Sequence, residues 1–215
     1  MSGLRAVLFD MDGTLVDTEE TWVEVVEQVA ARHGHALAGE ERRSVYGRSV
    51  RDTAGLLHAS LGARREDLAA ELGADFTARL ADGAEPRPGA LRLLRALSDS
   101  GVPTALVSAS PSAVVRGVAM SLGGHRFDAV YGAEDTARTK PAPDPYLAAA
   151  AALGADPARC VAVEDTATGV ASAEAAGCVV LAVPSVEPIG PARGRTVLAS
   201  LEEADLALLR SLIGS

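Results

Sequence analysis

Short apolar runs alternate with helical patterns along most of this chain, and this alternation limits the possible folds more than any other feature. The runs are Ala6–Phe9, Thr104–Val107, Ala129–Tyr131, 161–163 and 179–183. A strand that is apolar at successive positions is buried on both faces, as in a parallel sheet covered by helices. Helical patterns that end in glycine follow at Ala90–Ser100, 112–122, 145–153 and 168–176. The sequence therefore predicts an α/β fold with a doubly wound parallel sheet.

Residues 17–85 interrupt this alternation. The interval contains no convincing strand, and its apolar residues recur at helical spacing, as at Trp22 and Val26. A Pro/Gly-rich segment then breaks the chain before the α/β pattern resumes. We therefore predict a small helical domain of residues 17–85, inserted after the first strand of an α/β core that comprises residues 1–16 and 86–215.

Composition and charge narrow the class of protein. The 215 residues are 48% hydrophobic, and the net charge of −9 disfavours binding to nucleic acid or to an anionic membrane. No apolar run approaches the roughly 18 residues of a spanning helix, and Asp10 interrupts any signal-peptide segment. Cys160 and Cys178 lie in Val/Ala-rich runs, as expected for core thiols in a reducing compartment. We expect a cytoplasmic monomer without nucleic-acid or membrane partners.

Polar side chains follow the apolar runs at the points where strands would end. Asp10 and Asp12 follow the first run, Ser108 follows the second, and Glu164 and Asp165 follow the fourth. Ligands bind at the carboxyl ends of strands in open parallel sheets, so we expect these groups to lie close together. Four carboxylates in one place raise one another's pKa unless a cation is present. Oxygen ligands without Cys or His favour Mg²⁺ over zinc.

Lys140 lies just before a predicted helix and would balance charge on a phosphate bound beside the metal. In an extended segment Asp10 and Asp12 point to the same side, so both can address one phosphate. The strand-end acids, Ser108 and Lys140 together predict Mg²⁺-dependent phosphoryl transfer.

Each of these residues also has a purely structural alternative. Taken singly, the aspartates could form an Asx turn, Ser108 could cap a helix and Lys140 could be solvated. We favour function because the groups coincide at one sheet edge.

These motifs resemble those of the haloacid dehalogenase superfamily. The segment DMDGT from Asp10, together with Ser108, Lys140 and the pair Glu164-Asp165, is similar to its four sequence motifs in order. The segments LVSAS, TKPAPDPY and VEDTATGV resemble the branch that contains β-phosphoglucomutases and sugar-phosphate phosphatases. The resemblance covers nearly the whole chain and implies a Rossmann-like core with the helical insertion as a cap domain.

The resemblance also implies chemical roles for the acidic residues. Asp10 would be the nucleophile that forms an aspartyl-phosphate, and Asp12 would protonate the leaving oxygen and later activate water. Mg²⁺ would be held by Asp10, by the backbone carbonyl of Asp12 and by Asp165. Glu164 would be a direct or water-mediated metal ligand.

Other residues would contact the substrate. Ser108, the adjacent Ala109 and Lys140 would bind the transferring phosphoryl group, and Lys140 would also steady the nucleophile. In the cap, Arg48 and Arg51 lie where this branch often recognises its substrate, and they would bind a second anionic group. Exposed arginines on a helix are usually only solvated, and that alternative stays open for both.

Several functions fit such a site. Dehalogenases of the superfamily lack the second aspartate that Asp12 supplies, and the complete catalytic set disfavours a non-catalytic binding domain. The β-phosphoglucomutases carry lysine or arginine where this chain has Tyr46, Val50 and Pro111. We therefore expect a phosphoric monoester hydrolase that acts on a small phosphorylated metabolite, with a sugar phosphate as the first guess. A β-phosphoglucomutase-like phosphomutase is the alternative.

Overall fold

The computed structural model describes residues 3–46, 48, 50–81, 83–185 and 187–214, and the chain divides into two compact units. Residues up to Val16 and from Glu85 onward form an α/β unit, and Asp17–Ala84 form a helical unit. Residues 1, 2, 186 and 215 of the predicted core lie outside the described residues. The roles of the two units as catalytic core and cap domain remain a prediction.

The described residues form helices and strands in the following chain order. They are β1 (Ala6–Phe9), β2 (Val16–Asp17), α1 (Glu19–Arg32), α2 (Gly39–Arg43), α3 (Val50–Leu57), α4 (Arg65–Ala81), β3 (Glu85–Pro86), α5 (Ala90–Ser100), β4 (Thr104–Val107), α6 (Ser112–Ser121), β5 (Ala129–Tyr131), α7 (Asp144–Ala152), β6 (Cys160–Glu164), α8 (Ala167–Ala175), β7 (Val179–Ala182), β8 (Arg195–Val197) and α9 (Leu206–Leu212).

A six-stranded sheet forms the centre of the α/β unit, with the strand order β5-β4-β1-β6-β7-β8. Its neighbouring strands pair in parallel. The chain builds outward from β1 through β4 to β5 and then returns to β6 on the other side of β1. The strand order therefore reverses beside β1, and the carboxyl end of this strand lies where open α/β sheets bind ligands.

Both faces of the sheet are buried. Successive residues of a strand point to opposite faces, and every residue of β1 is inaccessible to solvent. On one face, Leu8 and Ala162 belong to a buried cluster that also contains Tyr146 of α7 and Val170 of α8. The predicted α/β fold with a parallel sheet is confirmed. The sequence pattern does not reveal β8, because its three residues are only partly buried and include Arg195.

The helical unit has its own apolar core. Side chains of α1, α3 and α4 form one buried cluster, in which Trp22 meets Phe76 edge to face with 5.2 Å between ring centroids. The spacing of Trp22, Val26 and Val29 places these residues on the buried side of α1. The chain enters and leaves this unit through β2 and β3, which pair in a separate two-stranded sheet.

Two observations bear on the expected environment. Cys160 and Cys178 are free, buried thiols of the sheet core. None of the described helices has both the length and the apolar character needed to cross a membrane. The cytoplasmic location and the monomeric state remain predictions.

Candidate active site

Three carboxylates lie together at the carboxyl ends of the two central strands. Asp10 directly follows β1, Glu164 is the last residue of β6 and Asp165 comes next. The β1–β6 register pairs Phe9 with Val163, and the Asp10 N–H donates a 2.9 Å hydrogen bond to the Val163 carbonyl oxygen. One carboxylate oxygen from each of the three acids lies within 4.8 Å of the others. All three side chains are buried.

Lys140 is the only lysine of the chain, and its side chain is 5% exposed. Its Nζ donates to Asp10 Oδ1 at 2.6 Å, to Glu164 Oε1 at 2.6 Å and to the Val107 carbonyl oxygen at 2.9 Å. An ammonium group has three N–H donors, so these three acceptors use all of them. The predicted convergence of Lys140 with the strand-end acids is therefore present.

The Asp12 carboxylate is held by hydroxyl groups from the turn after β4. Ser108 Oγ donates to Asp12 Oδ2 at 2.9 Å, and Ser110 Oγ donates to the same oxygen at 2.8 Å. The Ser110 N–H in turn donates to Ser108 Oγ at 2.9 Å. This turn thus connects the second aspartate to Ser108, the serine for which the sequence predicts phosphate binding.

The Asp165 carboxylate is fixed by two hydroxyl groups. Thr14 Oγ1 donates to Asp165 Oδ1 at 3.2 Å, and Ser185 Oγ donates to Oδ2. Gly13 has φ +79°, and a Cβ at this position would lie 2.1 Å from Asp165 Oδ2. Glycine is therefore required at position 13 both by the backbone conformation and by the carboxylate beside it.

Glu164 is enclosed in the same way. Its Oε1 accepts a 2.5 Å hydrogen bond from the Tyr146 hydroxyl, and its Oε2 accepts one of 3.2 Å from the Asp165 N–H. A Cβ at Gly169 would lie 2.0 Å from both carboxylate oxygens of Glu164. The start of α8 can therefore approach this carboxylate only because residue 169 has no side chain.

Burial dominates the electrostatics of the cluster. Burial, together with the negative charge of Asp10, raises the pKa of Asp165 to about 8. Burial also raises the pKa of Glu164, against the opposing attraction of Lys140. For Lys140 itself burial lowers the pKa, but Asp10 and Glu164 outweigh it and the net shift is upward. Three buried carboxylates thus face one ammonium group, an arrangement that a further cation would stabilise.

The donor set fits a magnesium ion. Asp10 Oδ2 is buried and has no hydrogen-bond partner, although an unsatisfied buried carboxylate oxygen is costly. Asp10 belongs with Glu164 and Asp165 to the group of acids whose oxygens could together hold a metal ion. All are hard oxygen donors, without Cys or His, as Mg²⁺ prefers. The residues present therefore agree with the predicted Mg²⁺ cofactor.

The remaining predicted residues do not take part in these contacts. Ala109 is exposed in the turn between Ser108 and Ser110. Arg48 and Arg51 are exposed residues of the helical unit, where the Arg48 guanidinium donates to the Ser44 carbonyl oxygen. The roles assigned to these three residues remain predictions.

Among the described residues, four have hydroxyl groups that contact the site and were given no role from the sequence, although three of them lie within the motif segments quoted above. They are Thr14, Ser110, Tyr146 and Ser185. Tyr146 carries a usable signal, because a tyrosine in the otherwise apolar part of an alanine-rich helix needs a buried partner for its hydroxyl. The single lysine is a second signal of a functional position, because every other strongly basic side chain of the chain is an arginine. Ser185 carries none.

Comparisons with known proteins bear on the family of this chain. A family model described as a haloacid dehalogenase-like hydrolase matches residues 4–177. Hexitol phosphatase A of Escherichia coli (strain K12) is 37% identical over 182 residues, which cover 83% of this chain and 82% of that protein. The bifunctional riboflavin kinase/FMN phosphatase of Arabidopsis thaliana is 33% identical over 184 residues, which cover 84% of this chain but 48% of that protein.

A solved structure extends the similarity to three dimensions. The structure of a HAD family hydrolase from Deinococcus radiodurans R1, with bound phosphate and sodium, has a TM-score of 0.73 and is 30% identical. The superposition covers 100% of this chain and 98% of that chain. The predicted family resemblance is confirmed, and the prediction of an enzyme of the phosphoric monoester hydrolase class is confirmed at the level of the family.

Proposed function

This chain belongs to the haloacid dehalogenase-like hydrolases, and we propose that it is a Mg²⁺-dependent phosphatase of a small phosphorylated metabolite, most readily a sugar phosphate. The observation that carries the proposal is the state of the Asp10 carboxylate. Lys140 holds Oδ1, whereas Oδ2 is buried without a partner beside two further acids. A buried carboxylate with one oxygen that has no hydrogen-bond partner is a candidate for binding a ligand or for taking part in a reaction.

The reaction proceeds in two steps. Asp10 attacks the phosphorus atom, an O–P bond forms to its carboxylate, and the bond to the leaving oxygen breaks as Asp12 gives that oxygen a proton. Water then attacks the aspartyl-phosphate, Asp12 accepts a proton from the water, and inorganic phosphate departs from Asp10. Ser108, the backbone at Ala109 and Lys140 bind the transferring group.

Asp10, Asp165 and the Asp12 carbonyl oxygen hold the metal in this proposal, with Glu164 as a direct or water-mediated ligand. When bound, Mg²⁺ supplies positive charge that offsets the repulsion between the anionic nucleophile and the phosphoryl group. The raised pKa of Asp165, which burial and Asp10 cause, supports this assignment because a cation relieves the unfavourable burial of its charge.

The helical unit acts as a cap that selects the substrate. The sequence predicts this cap as residues 17–85, and the compact helical unit is Asp17–Ala84, one residue shorter, with the α/β unit as the catalytic core. Arg48 and Arg51 bind a second anionic group of the substrate. Two relatives support the substrate class, because the name of one refers to a hexitol phosphatase and that of the other to an FMN phosphatase. The enzyme works as a cytoplasmic monomer on a small molecule.

The test is a phosphate-release screen over phosphorylated sugars, polyols and nucleotides with Mg²⁺. A coupled assay for conversion of β-glucose 1-phosphate to glucose 6-phosphate runs beside it. We expect release without conversion, loss of release on chelation and its return with added Mg²⁺. Conversion with little release would support the phosphomutase instead, and activity indifferent to chelation would contradict the metal.

A further inference from the structure

Tyr146 is a buried residue of α7 that the proposed reaction does not use. Its side chain is inaccessible to solvent, and its hydroxyl donates to Glu164 Oε1 at 2.5 Å. The Lys140 Nζ lies 5.1 Å from the centre of the Tyr146 ring. The tyrosine therefore contacts both partners of the Lys140–Glu164 ion pair, through its hydroxyl and through its ring.

Another tyrosine near the same helix shows that such a contact is not required to satisfy a tyrosine hydroxyl. Tyr131 of β5 donates to the Ala148 carbonyl oxygen of α7 at 3.3 Å. The Tyr146 hydroxyl instead binds a carboxylate, and hydrogen bonds to charged groups are stronger than those to carbonyl groups. The two hydroxyl groups therefore differ in their acceptors, which are a backbone carbonyl oxygen for Tyr131 and a carboxylate oxygen for Tyr146.

The hydrogen bond of Tyr146 fixes the orientation of Glu164. Oε1 accepts from both Tyr146 and Lys140, and Oε2 accepts from the Asp165 N–H. The carboxylate lies directly against Gly169, where a Cβ would be 2.0 Å from both of its oxygens. Since Lys140 joins Glu164 Oε1 to Asp10 Oδ1, the position of Glu164 sets the position of the ammonium group against Asp10.

We propose that Tyr146 is a positioning residue, which acts through Glu164 and Lys140 to hold the Asp10 carboxylate in one orientation. This inference rests on the proposed function, in which Asp10 is the nucleophile. The Tyr146 hydroxyl keeps the Glu164 carboxylate turned toward Lys140. Lys140 then donates to Asp10 Oδ1, and Asp10 Oδ2 remains without a hydrogen-bond partner. A nucleophile held in this way reacts faster because less freedom is lost on reaching the transition state.

The test compares Tyr146→Phe with Tyr131→Phe. Each variant removes one hydroxyl that binds a partner and keeps the ring, so the second controls for the loss of a hydroxyl group as such. For Tyr146→Phe we expect kcat to fall about tenfold and KM to stay within about twofold, because a hydrogen bond to a charged group is lost away from the substrate. For Tyr131→Phe we expect both constants to stay within about twofold.

A second measurement does not depend on turnover. Protein labelled with ¹⁵N-lysine gives a single side-chain ammonium signal, because Lys140 is the only lysine. A buried ammonium with three acceptors exchanges its protons slowly with water. We expect severalfold faster exchange in Tyr146→Phe and unchanged exchange in Tyr131→Phe. In a Glu164→Gln background the additional removal of the Tyr146 hydroxyl should have little further effect on either readout.

The outcomes separate the two proposals. If wild type hydrolyses a substrate and Tyr146→Phe matches Tyr131→Phe in kcat and in exchange, the positioning role is wrong and the phosphatase stands. If wild type releases no phosphate from any compound of the screen, the phosphatase proposal is wrong. Proton exchange of the Lys140 ammonium then tests the positioning role. Faster exchange in Tyr146→Phe but not in Tyr131→Phe supports it, and equal exchange in the two variants overturns it. Melting temperatures of both variants exclude unfolding as the cause.

Discussion

The α/β unit and the helical unit both contain networks of charged side chains, but the two networks differ in exposure. Lys140 joins Asp10 and Glu164 with its own side chain 5% exposed. Arg42 of the helical unit joins Glu20 and Glu27 with 34% of its side chain exposed. Buried charges lose their hydration and depend on their partners, whereas exposed pairs add little to stability. The α/β unit thus retains charges that stability alone would not favour.

The proposed nucleophile and the candidate metal site belong to the buried network of the α/β unit. In the buried network one carboxylate oxygen is left without a partner and two carboxyl groups have raised pKa values, because burial disfavours their charged forms. In the exposed network the Tyr46 hydroxyl and the Arg42 guanidinium lower the pKa of Glu20 by donating hydrogen bonds to its carboxylate. A strained electrostatic arrangement therefore distinguishes a candidate active site from a surface network of similar residues.

The largest expected effect comes from Asp10, the proposed nucleophile. Asp10→Asn should reduce phosphate release by about a thousandfold or more, because an amide cannot form the acyl-phosphate bond. Asp99→Asn, which removes an exposed carboxylate of α5, is the matched control and should keep wild-type activity. Steady-state phosphate release measures both. Robust turnover by Asp10→Asn would contradict the assignment of the nucleophile.

Removing one cation from each network tests the comparison directly. Lys140→Met leaves three buried acids without their counter-ion and should lower the free energy of unfolding by about 3 kcal/mol in metal-free buffer. Arg42→Met breaks exposed ion pairs and should leave the urea midpoint within the scatter of wild type. Chemical denaturation at neutral pH measures both variants. Equal losses in the two variants would show that burial does not separate the networks.

The proposed Mg²⁺ site offers a test that requires no substrate. With Mg²⁺ at about 100 times its dissociation constant, the gain in unfolding free energy is about 2.7 kcal/mol, which corresponds to a rise of roughly 5–10 °C in melting temperature. Asp165→Asn should abolish most of this rise, and Asp99→Asn should retain it. An undiminished rise in Asp165→Asn would remove Asp165 from the metal site.

Two helical glycines give the smallest expected effects. Gly169→Ala places a Cβ 2.0 Å from the Glu164 carboxylate and should cost about 2 kcal/mol of stability by overpacking. Gly73→Ala in α4, where the nearest atom is 3.9 Å away, should stabilise the fold by about 0.5–1 kcal/mol. Thermal unfolding compares the two. A neutral Gly169→Ala would mean that Glu164 has room to move.

The sequence predicted the strand-end acids well, because Asp10 and Glu164 directly follow runs of apolar residues whose burial is fixed by the sheet, and Asp12 and Asp165 come within two residues of them. It placed Glu164 after a strand, whereas the structure includes it as the last residue of β6. Tyr146 and Ser185 could not be paired with Glu164 and Asp165 from sequence, because those contacts depend on how α7 and the segment after β7 pack against strand ends. The periodicity of apolar residues predicts which face of a helix or strand is buried, but it does not predict which side chains are in contact there.

The fully engaged Lys140 ammonium also has a consequence for affinity. A phosphate oxygen can bind this group only by displacing one of its protein acceptors, and the Val107 carbonyl, with the longest of the three contacts, is the one most easily given up. Binding at Lys140 is therefore an exchange, whose net gain is the difference between two hydrogen bonds. In the proposed reaction the phosphate product would have to make the same exchange as the substrate, so we expect Lys140 to contribute only weakly to product inhibition.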